Sequence, residues 1–563
     1  MNKKAAFILG TFVLGTFAFS QDFDDWGSSD YSEPQVTVTG SVETNARAYV
    51  AQEDSQEEKL DVQDWLVEGN ASGKLGIEYS GSSTDVSVSL KFDKNSLGSY
   101  KEDILDEFTA RAYLGNFQLE AGKMRVVWGK GDKLHVLDNF NANDYTDYII
   151  PEYIDRRIAE PMFRVVYSTP SNVKIEAVYT PVMTPDRLAS SGVWVPKAAE
   201  TLTGTVTSAA TSGLALAVEN LENARLEAAE ASTLKDLAAQ GNTNAVAALQ
   251  SLVSAAADAG KISYTNEEVV AYMAANGGTQ DVAVKAILGS KYSDYVEDSL
   301  TSANTLYTYA LSNASSLASD SSVLYPNTKT LEYGQAGLRT TFTLGGFDLG
   351  LSYYYGHNKQ PSFNAAKFSA GMNEYLAKGS ISKENKFLSY DRLQVFGLEG
   401  AFVLFSLNSR FEVAYNLTED IDGDDPYVHN NSIAWVAGFD RDIPLHNLNF
   451  NIQTQGKFIL GGDEIEKNGS LDVDNDGKNC HSNNKIVVDI TDTWNYEKIK
   501  LDVMAIWGIE RSDLIVKPSL SYNIKDGFTV TASGMYIYCK DENSEFDGWQ
   551  NNSFAQIGMK CAF

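Results

Sequence analysis

The chain has 563 residues, with 45 Lys and Arg against 75 Asp and Glu, a formal net charge of −30 and a pI near 4.5. Nucleic-acid phosphates would repel so acidic a chain, so nucleic acid is excluded as an expected partner. The 29 Tyr, 26 Phe and 43 Gly beside only 12 Pro favour many strands joined by tight turns. A secreted acidic β-protein would share this composition.

Residues 1–20 have the pattern of an export signal. Two early lysines precede the apolar run AAFILGTFVLGTFAF, and Ala18 and Ser20 have the spacing of a signal-peptidase site, which predicts cleavage before Gln21. No later stretch holds the roughly 20 consecutive apolar residues of a membrane helix. If the mature chain enters a membrane, it must therefore do so as a closed barrel, because lipid offers no partner to open-edge backbone groups.

Period-two alternation predicts about eighteen strands: after a periplasmic segment at 21–34, seven lie in 35–196 and eleven in 327–563. Short turns such as GN and GG alternate with long polar connections, with ERSD as the one short exception. Short turns at one end and long loops at the other are typical of outer-membrane barrels. An even strand number also puts both chain ends on the periplasmic side.

The two faces of the predicted strands differ in chemistry. Residues such as Phe347, Leu351 and Tyr353 would face lipid, with Ser352 facing the lumen. The final segment SFAQIGMKCAF alternates in the same way and ends on Phe563; it resembles the closing strand of bacterial outer-membrane barrels, whose terminal Phe is an assembly signal for the barrel assembly machinery. A soluble sandwich would show the same alternation with its apolar face buried, but the loop asymmetry and export signal favour the barrel.

The predicted fold class is all-β: a transmembrane antiparallel β-barrel of about 18 strands with an α-helical insert in one outer loop. The insert is residues 197–326, rich in Ala, Ser, Leu and Glu, with helix caps predicted at Thr265 and Asn266. A solvated decoration, a lid or plug over the pore, and a surface-binding module all remain open for it.

Charged side chains on the lumen-facing phase of the strands predict a water-filled interior. An Arg or Lys on the lipid face at the membrane midplane would cost about 2 to 4 kcal/mol. Salt bridges that only brace the wall are an equal alternative for any single residue. The residues are Lys91, Asp93, Glu107, Arg111, Arg164, Lys174, Glu176, Arg339, Arg410 and Glu412.

The third outer loop, from about Arg125 to Glu160, is dense in aromatic and charged residues. Here the chain resembles a family of bacterial outer-membrane porin-like proteins of mostly unassigned cargo, which carry a WG strand end, an Asn-rich segment and an Arg pair. The chain has Asp144-Tyr145 where that family usually has an Asn-Pro type of turn. The matching residues are Trp128, Gly129, Asn139, Asn141, Asn143, Asp144, Arg156 and Arg157.

Porins commonly fold their third outer loop into the barrel as a constriction. The resemblance therefore implies that charged residues of this loop set pore size and selectivity through a transverse field of opposed charges. These residues are Lys130, Asp132, Lys133, Asp144, Asp147, Asp155, Arg156 and Arg157.

The segment DVDNDG resembles the first half of a calcium loop, with Asp472, Asp474 and Asp476 at alternate positions before Gly477. Asn483 stands where the bidentate Glu of such a loop would be. These outer loops either bind Ca²⁺ or are hydrated acidic loops without a metal. The sequence implies no other cofactor.

Three cysteines follow the export signal, and in an oxidising compartment Cys480 and Cys539 could pair while Cys561 faces lipid at the other end. The sequence has no P-loop, GxSxG, HExxH or CxxC motif, and its five His have no ligand spacing. No enzymatic activity is therefore expected.

These patterns together predict a bacterial outer-membrane channel that passes small hydrophilic solutes, with outer-membrane lipid around it and loops at the cell surface. One alternative is a surface adhesin or receptor in which the barrel anchors the helical insert. Another is a transporter of hydrophobic compounds, which would need an apolar path that the inward Lys, Arg and Asn disfavour. The sequence predicts no oligomeric state.

Overall fold

The computed structural model describes residues 35–50, 66–477, 480–541 and 544–563. The predicted export signal at 1–20 and the segment at 21–34 lie outside these residues. Within the described part of the chain, no helix has both the length and the apolar character needed to cross a membrane.

Eighteen long antiparallel strands form one sheet, and four two-residue strands lie outside it. The four short ones are β6, β9, β12 and β13. In chain order the strands are β1 (Gln35–Tyr49), β2 (Leu66–Ser80), β3 (Thr84–Phe92), β4 (Leu105–Leu114), β5 (Phe117–Met124), β6 (Asp144–Tyr145), β7 (Glu160–Ser168), β8 (Lys174–Thr180), β9 (Arg187–Leu188), β10 (Gln335–Leu344), β11 (Phe347–His357), β12 (Ser362–Phe363), β13 (Leu388–Ser389), β14 (Arg392–Leu404), β15 (Leu407–Thr418), β16 (Ser432–Ile443), β17 (Leu448–Ile459), β18 (Ser482–Trp494), β19 (Ile499–Gly508), β20 (Leu514–Lys525), β21 (Phe528–Tyr538) and β22 (Phe554–Ala562).

The sheet closes on itself because its first and last strands pair. β1 runs antiparallel to β22 from Ser41 opposite Ala562 to Tyr49 opposite Phe554, and its other edge pairs with β2. A closed barrel leaves no open edge of unpaired backbone groups. The predicted barrel of about eighteen strands is confirmed, and the strands occur in the predicted order.

The outer surface of the barrel is apolar. Large side chains such as Leu351 (55% exposed), Phe396 (46%) and Trp507 (48%) project from it. Water does not favour a continuous apolar surface of this kind, whereas acyl chains do. Because closed barrels with an apolar exterior are the β-structures that cross bacterial outer membranes, this surface places the barrel in that membrane.

The connections differ in length between the two ends of the barrel, as predicted. At one end tight turns join the strands, and Gly115 between β4 and β5 has a φ of +59°, which glycine adopts without strain. At the other end lie the long connections and the helices of the described residues. These are α1 (Lys94–Leu97), α2 (Tyr153–Arg156), α3 (Lys197–Ala239), α4 (Thr243–Asp258), α5 (Asn266–Asn276), α6 (Gln280–Ser319), α7 (Ala365–Lys378) and α8 (Gly462–Asn468).

The helices α3 to α6 form the insert between β8 and β10. Thr265 caps α5 as predicted, because its Oγ1 accepts the amide N–H of Glu268 at 3.2 Å. Near its two ends the insert packs on α7, a helix from the next outer connection, through Val206, Leu317 and Leu376 among others. Farther along, α4 and α6 share a second apolar core. The insert is therefore fixed at its base and has its own packing beyond it.

Candidate functional site

Arginines and glutamates alternate along the inner wall from β4 to β14 and form a chain of ion pairs, which we call the wall ladder. Arg164 bridges Glu120 and Glu176, at 2.9 Å to each. Arg339 continues the chain, because it lies 3.9 Å from Glu176 and 2.5 Å from Glu399. In order around the wall, the wall ladder consists of Arg111, Glu120, Arg164, Glu176, Arg339 and Glu399.

The wall ladder pairs every arginine in it with a carboxylate, which agrees with the alternative that inward salt bridges brace the wall. The sequence reasoning had placed the arginines and Glu176 in the lumen but had missed Glu120 and Glu399. A signal for Glu120 was present, because Arg111 and Glu120 lie at equal distances from the GN turn and are directly opposite in the hairpin. Glu399 has no exposed side-chain surface, and a carboxylate so deeply buried requires such partners.

Most of the other predicted lumen residues also meet charged partners, but Lys174 at the start of β8 is exposed and forms no ion pair with another described residue. Lys91 lies 2.9 Å from Asp93, and Glu107 lies 3.1 Å from Arg125. Arg410 on β15 bridges two carboxylates that are described below.

The third outer loop, residues 125–159 and here called loop 3, packs on the inner side of the barrel wall. Trp128 and Phe140 stand edge to face at 5.0 Å, and Trp128 Nε1 donates to Glu176 Oε1 at 2.8 Å. Gly337 on β10 makes this approach feasible, since a Cβ there would lie 2.6 Å from the Trp128 ring. The same apolar cluster joins three residues of loop 3, Trp128, Leu137 and Phe140, to lumen-facing residues of six strands. These are Met162 of β7, Val178 of β8, Tyr354 of β11, Val395 of β14, Ala414 of β15 and Ala434 of β16.

Glu412 on β15 holds the start of loop 3 against this wall. Its carboxylate accepts the backbone N–H groups of Gly131 at 2.6 Å and Val136 at 2.8 Å, and it contacts His135 Nδ1 at 2.9 Å. Its side chain is fully buried. The sequence reasoning placed Glu412 in the lumen without identifying it as this anchor.

Loop 3 also reaches the wall on the far side of the lumen. Asp147 forms a bidentate ion pair with Arg47 of β1, at 2.6 and 3.0 Å. Lys517 of β20 donates to the carbonyl oxygen of Ile149 at 2.7 Å, and Tyr148 joins an apolar cluster with residues of β20 to β22. Since its two anchor points lie on opposite parts of the wall, loop 3 crosses the lumen.

Several residues that the sequence assigned to a constriction connect loop 3 to the wall. Asp132 lies 3.3 Å from Arg410, and Lys133 lies 3.1 Å from Asp489. Asp155 pairs with Lys74 of β2. Lys130 is partly exposed, and Asp144 hydrogen-bonds within the outer loops, accepting from Thr146.

The predicted arginine pair splits into two environments. Arg157 is 3% exposed and lies 2.8 Å from the buried Asp138, so it braces loop 3 from within. Burial raises the pKa of Asp138, and the charge of Arg157 opposes that rise. Arg156 lies near the rings of Tyr145 and Tyr153, 5.8 and 5.9 Å from their centroids.

Arg156 forms no ion pair with any carboxylate among the described residues. Burial lowers its pKa, although neighbouring tyrosines and Glu152 act in the opposite direction. It borders a cavity whose lining also includes Lys91, Asp106 and Asp155. Arg156 and the partly exposed Lys130 are thus the two members of the predicted constriction that form no ion pair with another described residue, and of these two Arg156 borders the cavity.

A second segment crosses the barrel mouth, residues 181–196, here called the strap. Its Asp186 accepts the backbone N–H of Asn143 at 2.8 Å, and β9 within it pairs in parallel with β6 of loop 3. Trp194 near its end stacks on Tyr148 at 5.3 Å. The strap leads from β8 to the start of α3; sequence analysis assigns these residues to the first barrel segment, 35–196, without predicting their path across the mouth.

The acidic loop that resembles a calcium site directs its carboxylates to separate partners. Asp474 meets His429 Nδ1 at 2.9 Å, Asp476 meets Arg511 at 3.1 Å, and Asp472 accepts from Asn468 at 3.0 Å. Within the described ranges, three or more potential ligands do not converge anywhere. Calcium binding here stays a prediction.

The three cysteines Cys480, Cys539 and Cys561 are free thiols. The pairing considered for Cys480 and Cys539 is therefore not formed in this structure.

No protein-family model and no curated protein matches the chain. Solved structures with a similar course include a BenF-like porin from Pseudomonas fluorescens Pf-5, at 7% identity and a TM-score of 0.42, covering 95% of this chain and 98% of that one. OccAB4 of Acinetobacter baumannii has 8% identity and a TM-score of 0.41, with 95% and 98% coverage. The outer-membrane channel DcaP of the same species has 9% identity and a TM-score of 0.36, with 95% and 99% coverage. Likeness at this level carries no information about the function of this chain.

The ion pair between Arg47 and Asp147 yields a testable prediction. Replacing Asp147 with Asn leaves the guanidinium of Arg47, whose side chain is 2% exposed, without its counter-charge. Loss of one partner of a buried pair is destabilising, and since Asp147 is itself 40% exposed we expect a loss of about 1 to 3 kcal/mol and faster proteolysis within loop 3. The loss of stability is measured by the temperature at which the folded band disappears in heat-modifiability gels. The rate of cleavage within loop 3 is measured by limited proteolysis.

Asp348→Asn serves as the control, because Asp348 is exposed near a turn and bonds only locally to Thr343. If Asp147→Asn behaves like this control in both assays, Asp147 does not hold loop 3 to β1.

Proposed function

We propose that the protein is a channel through which small hydrophilic solutes diffuse across the bacterial outer membrane, with loop 3 narrowing the lumen. The observation that carries this proposal is the path of loop 3, which is fixed to both sides of a polar wall. A solute that crosses the barrel would have to pass beside this loop. No covalent step is part of this function.

The chemistry of the wall supports passage of hydrophilic solutes. The wall ladder and the pairs at Arg410 and Lys133 put charged groups on the inner face. Water and polar solutes can reach the partly exposed ones, which are Arg111, Arg164, Arg410 and Lys133. A barrel of eighteen strands is wide enough for an aqueous channel unless loops fill it. Loop 3 and the strap then determine how much of that width remains.

The paired charges have a consequence for selectivity. A guanidinium that is already neutralised by a neighbouring carboxylate contributes little net potential to a passing ion, whereas an uncompensated one contributes more. Arg156 is such a group, so we propose that it contributes more to ion selectivity than the constriction residues that are ion-paired. The paired residues chiefly fix the position of loop 3; they are Asp132, Lys133, Asp147, Asp155 and Arg157.

Replacing Arg156 with Ala should shift the channel toward cations, because it removes an uncompensated positive charge from the constriction. We expect the K⁺ to Cl⁻ permeability ratio, measured from reversal potentials in a planar bilayer, to rise at least about twofold. Arg225→Ala is the matched control, since Arg225 is an exposed arginine on α3 of the insert. An unchanged ratio in Arg156→Ala would remove Arg156 from the constriction.

The helical insert supports a second candidate function. Its outer part has an apolar core of its own, with Val253, Tyr292 and Val296, as a surface-binding module would need. In that case the protein would be an adhesin or receptor and the barrel only its anchor.

Flux of small sugars into liposomes distinguishes the two candidates. The variant replaces residues 197–326 with a short Gly-Ser linker, and its folding is checked by heat-modifiable migration. We expect flux with the full chain and with the variant, because the barrel and loop 3 remain. Absence of flux in both would favour the anchor.

A further inference from the structure

A small pocket lies between loop 3 and the inner faces of β15, β16 and β17. Its polar lining consists of Asp132, Arg410, Asp440, Asn451 and Gln453, together with Asn408. The cavity volume is about 10 Å³, which is close to the least that holds one water-sized group.

Hydrogen bonds fix the orientation of two amides in this pocket. A carboxylate only accepts hydrogen bonds when ionised, so the contact of 2.6 Å between Asp132 Oδ2 and Asn451 must come from the Nδ2 group of Asn451. The Oδ1 of Asn451 is then the acceptor for Gln453 Nε2 at 3.0 Å. Asp132 thereby determines which way both amides point.

This order leaves Gln453 Oε1 without a hydrogen-bond partner, although Gln453 is only 4% exposed. Buried carbonyl oxygens in proteins nearly always accept a hydrogen bond, because burying one without a donor is unfavourable. Because Gln453 lines the pocket, an acceptor that the described residues do not satisfy lies at the pocket wall.

The pocket also has an excess of negative charge. Arg410 is shared between Asp132 at 3.3 Å and Asp440 at 2.9 Å, so two carboxylates face one guanidinium. Asn408 adds a neutral donor to Asp440 at 2.9 Å. A ligand that suits this lining must donate a hydrogen bond and carry positive charge.

We infer that this pocket is a subsite for a small cationic group with N–H bonds, such as the primary ammonium of a solute. The inference rests on the proposed channel function, because the pocket would bind the solute beside loop 3 as it passes. Bound water could satisfy Gln453 Oε1 but would not balance the extra carboxylate. An ammonium group does both.

The test compares methylammonium with tetramethylammonium, which has the same charge but no N–H. The first readout is the concentration at which channel conductance half-saturates, and the second is calorimetric titration of the folded, detergent-solubilised protein. We call the half-saturation concentration and the calorimetric dissociation constant for methylammonium the methylammonium constants. In Gln453→Leu we expect both to rise about tenfold, while the corresponding constants for tetramethylammonium do not change. Gln453→Glu should lower the methylammonium constants.

Gln455→Leu is the matched control, because Gln455 lies on the same strand two residues further on and on the same face. If Gln453→Leu fails to fold, Asp440→Asn tests the charge in its place and should also raise the methylammonium constants.

The outcomes separate this inference from the channel proposal. Conductance with equal methylammonium constants in the wild type, Gln453→Leu and Gln455→Leu would overturn the subsite, which then holds water only, and would leave the channel intact. Methylammonium binding by calorimetry without any conductance would overturn the channel and support the subsite. Neither conductance nor binding would overturn both.

Discussion

The pairing of β1 with β22 is the constraint from which the rest of the structure follows. Once the sheet is closed, each strand has one face toward the membrane and one toward the lumen, and period-two alternation sorts apolar from polar side chains between them. Apolar residues then lie outside in lipid, where a soluble protein would bury them. Charged residues lie inside, where they must be hydrated or form ion pairs.

In this barrel most of the inward-facing charged residues form ion pairs with one another. The wall ladder joins β4 to β14, and Arg47, Lys133 and Arg410 connect the wall to loop 3. These contacts combine with apolar packing of Trp128 and Phe140 to hold loop 3 in place. We propose that groups left unmatched by this pairing, such as Arg156 and Gln453, determine selectivity more than the total charge of the lumen does.

Most of the fold could be predicted from the sequence because alternation, turn residues and loop lengths are local signals. The strands on both sides of the insert and the cap at Thr265 are examples. The site was less predictable, because alternation assigns a side chain to a face but not to a height or to a neighbour. Arg164 contacts Glu176 although the two are not directly opposite in the β7 and β8 register, and such contacts depend on the stagger of the strands. The strap and the packing of α7 on the insert depend on contacts distant in sequence, for which the chain has no periodic signal.

The central claim is that loop 3 crosses the lumen and sets its width. Replacing residues 130–155 with a short Gly-Ser linker tests it most directly, with folding of the barrel verified by heat-modifiable migration. The account predicts that single-channel conductance in a planar bilayer rises several-fold, because the lumen of an eighteen-stranded barrel is then far less obstructed. Conductance equal to that of the full chain would contradict it.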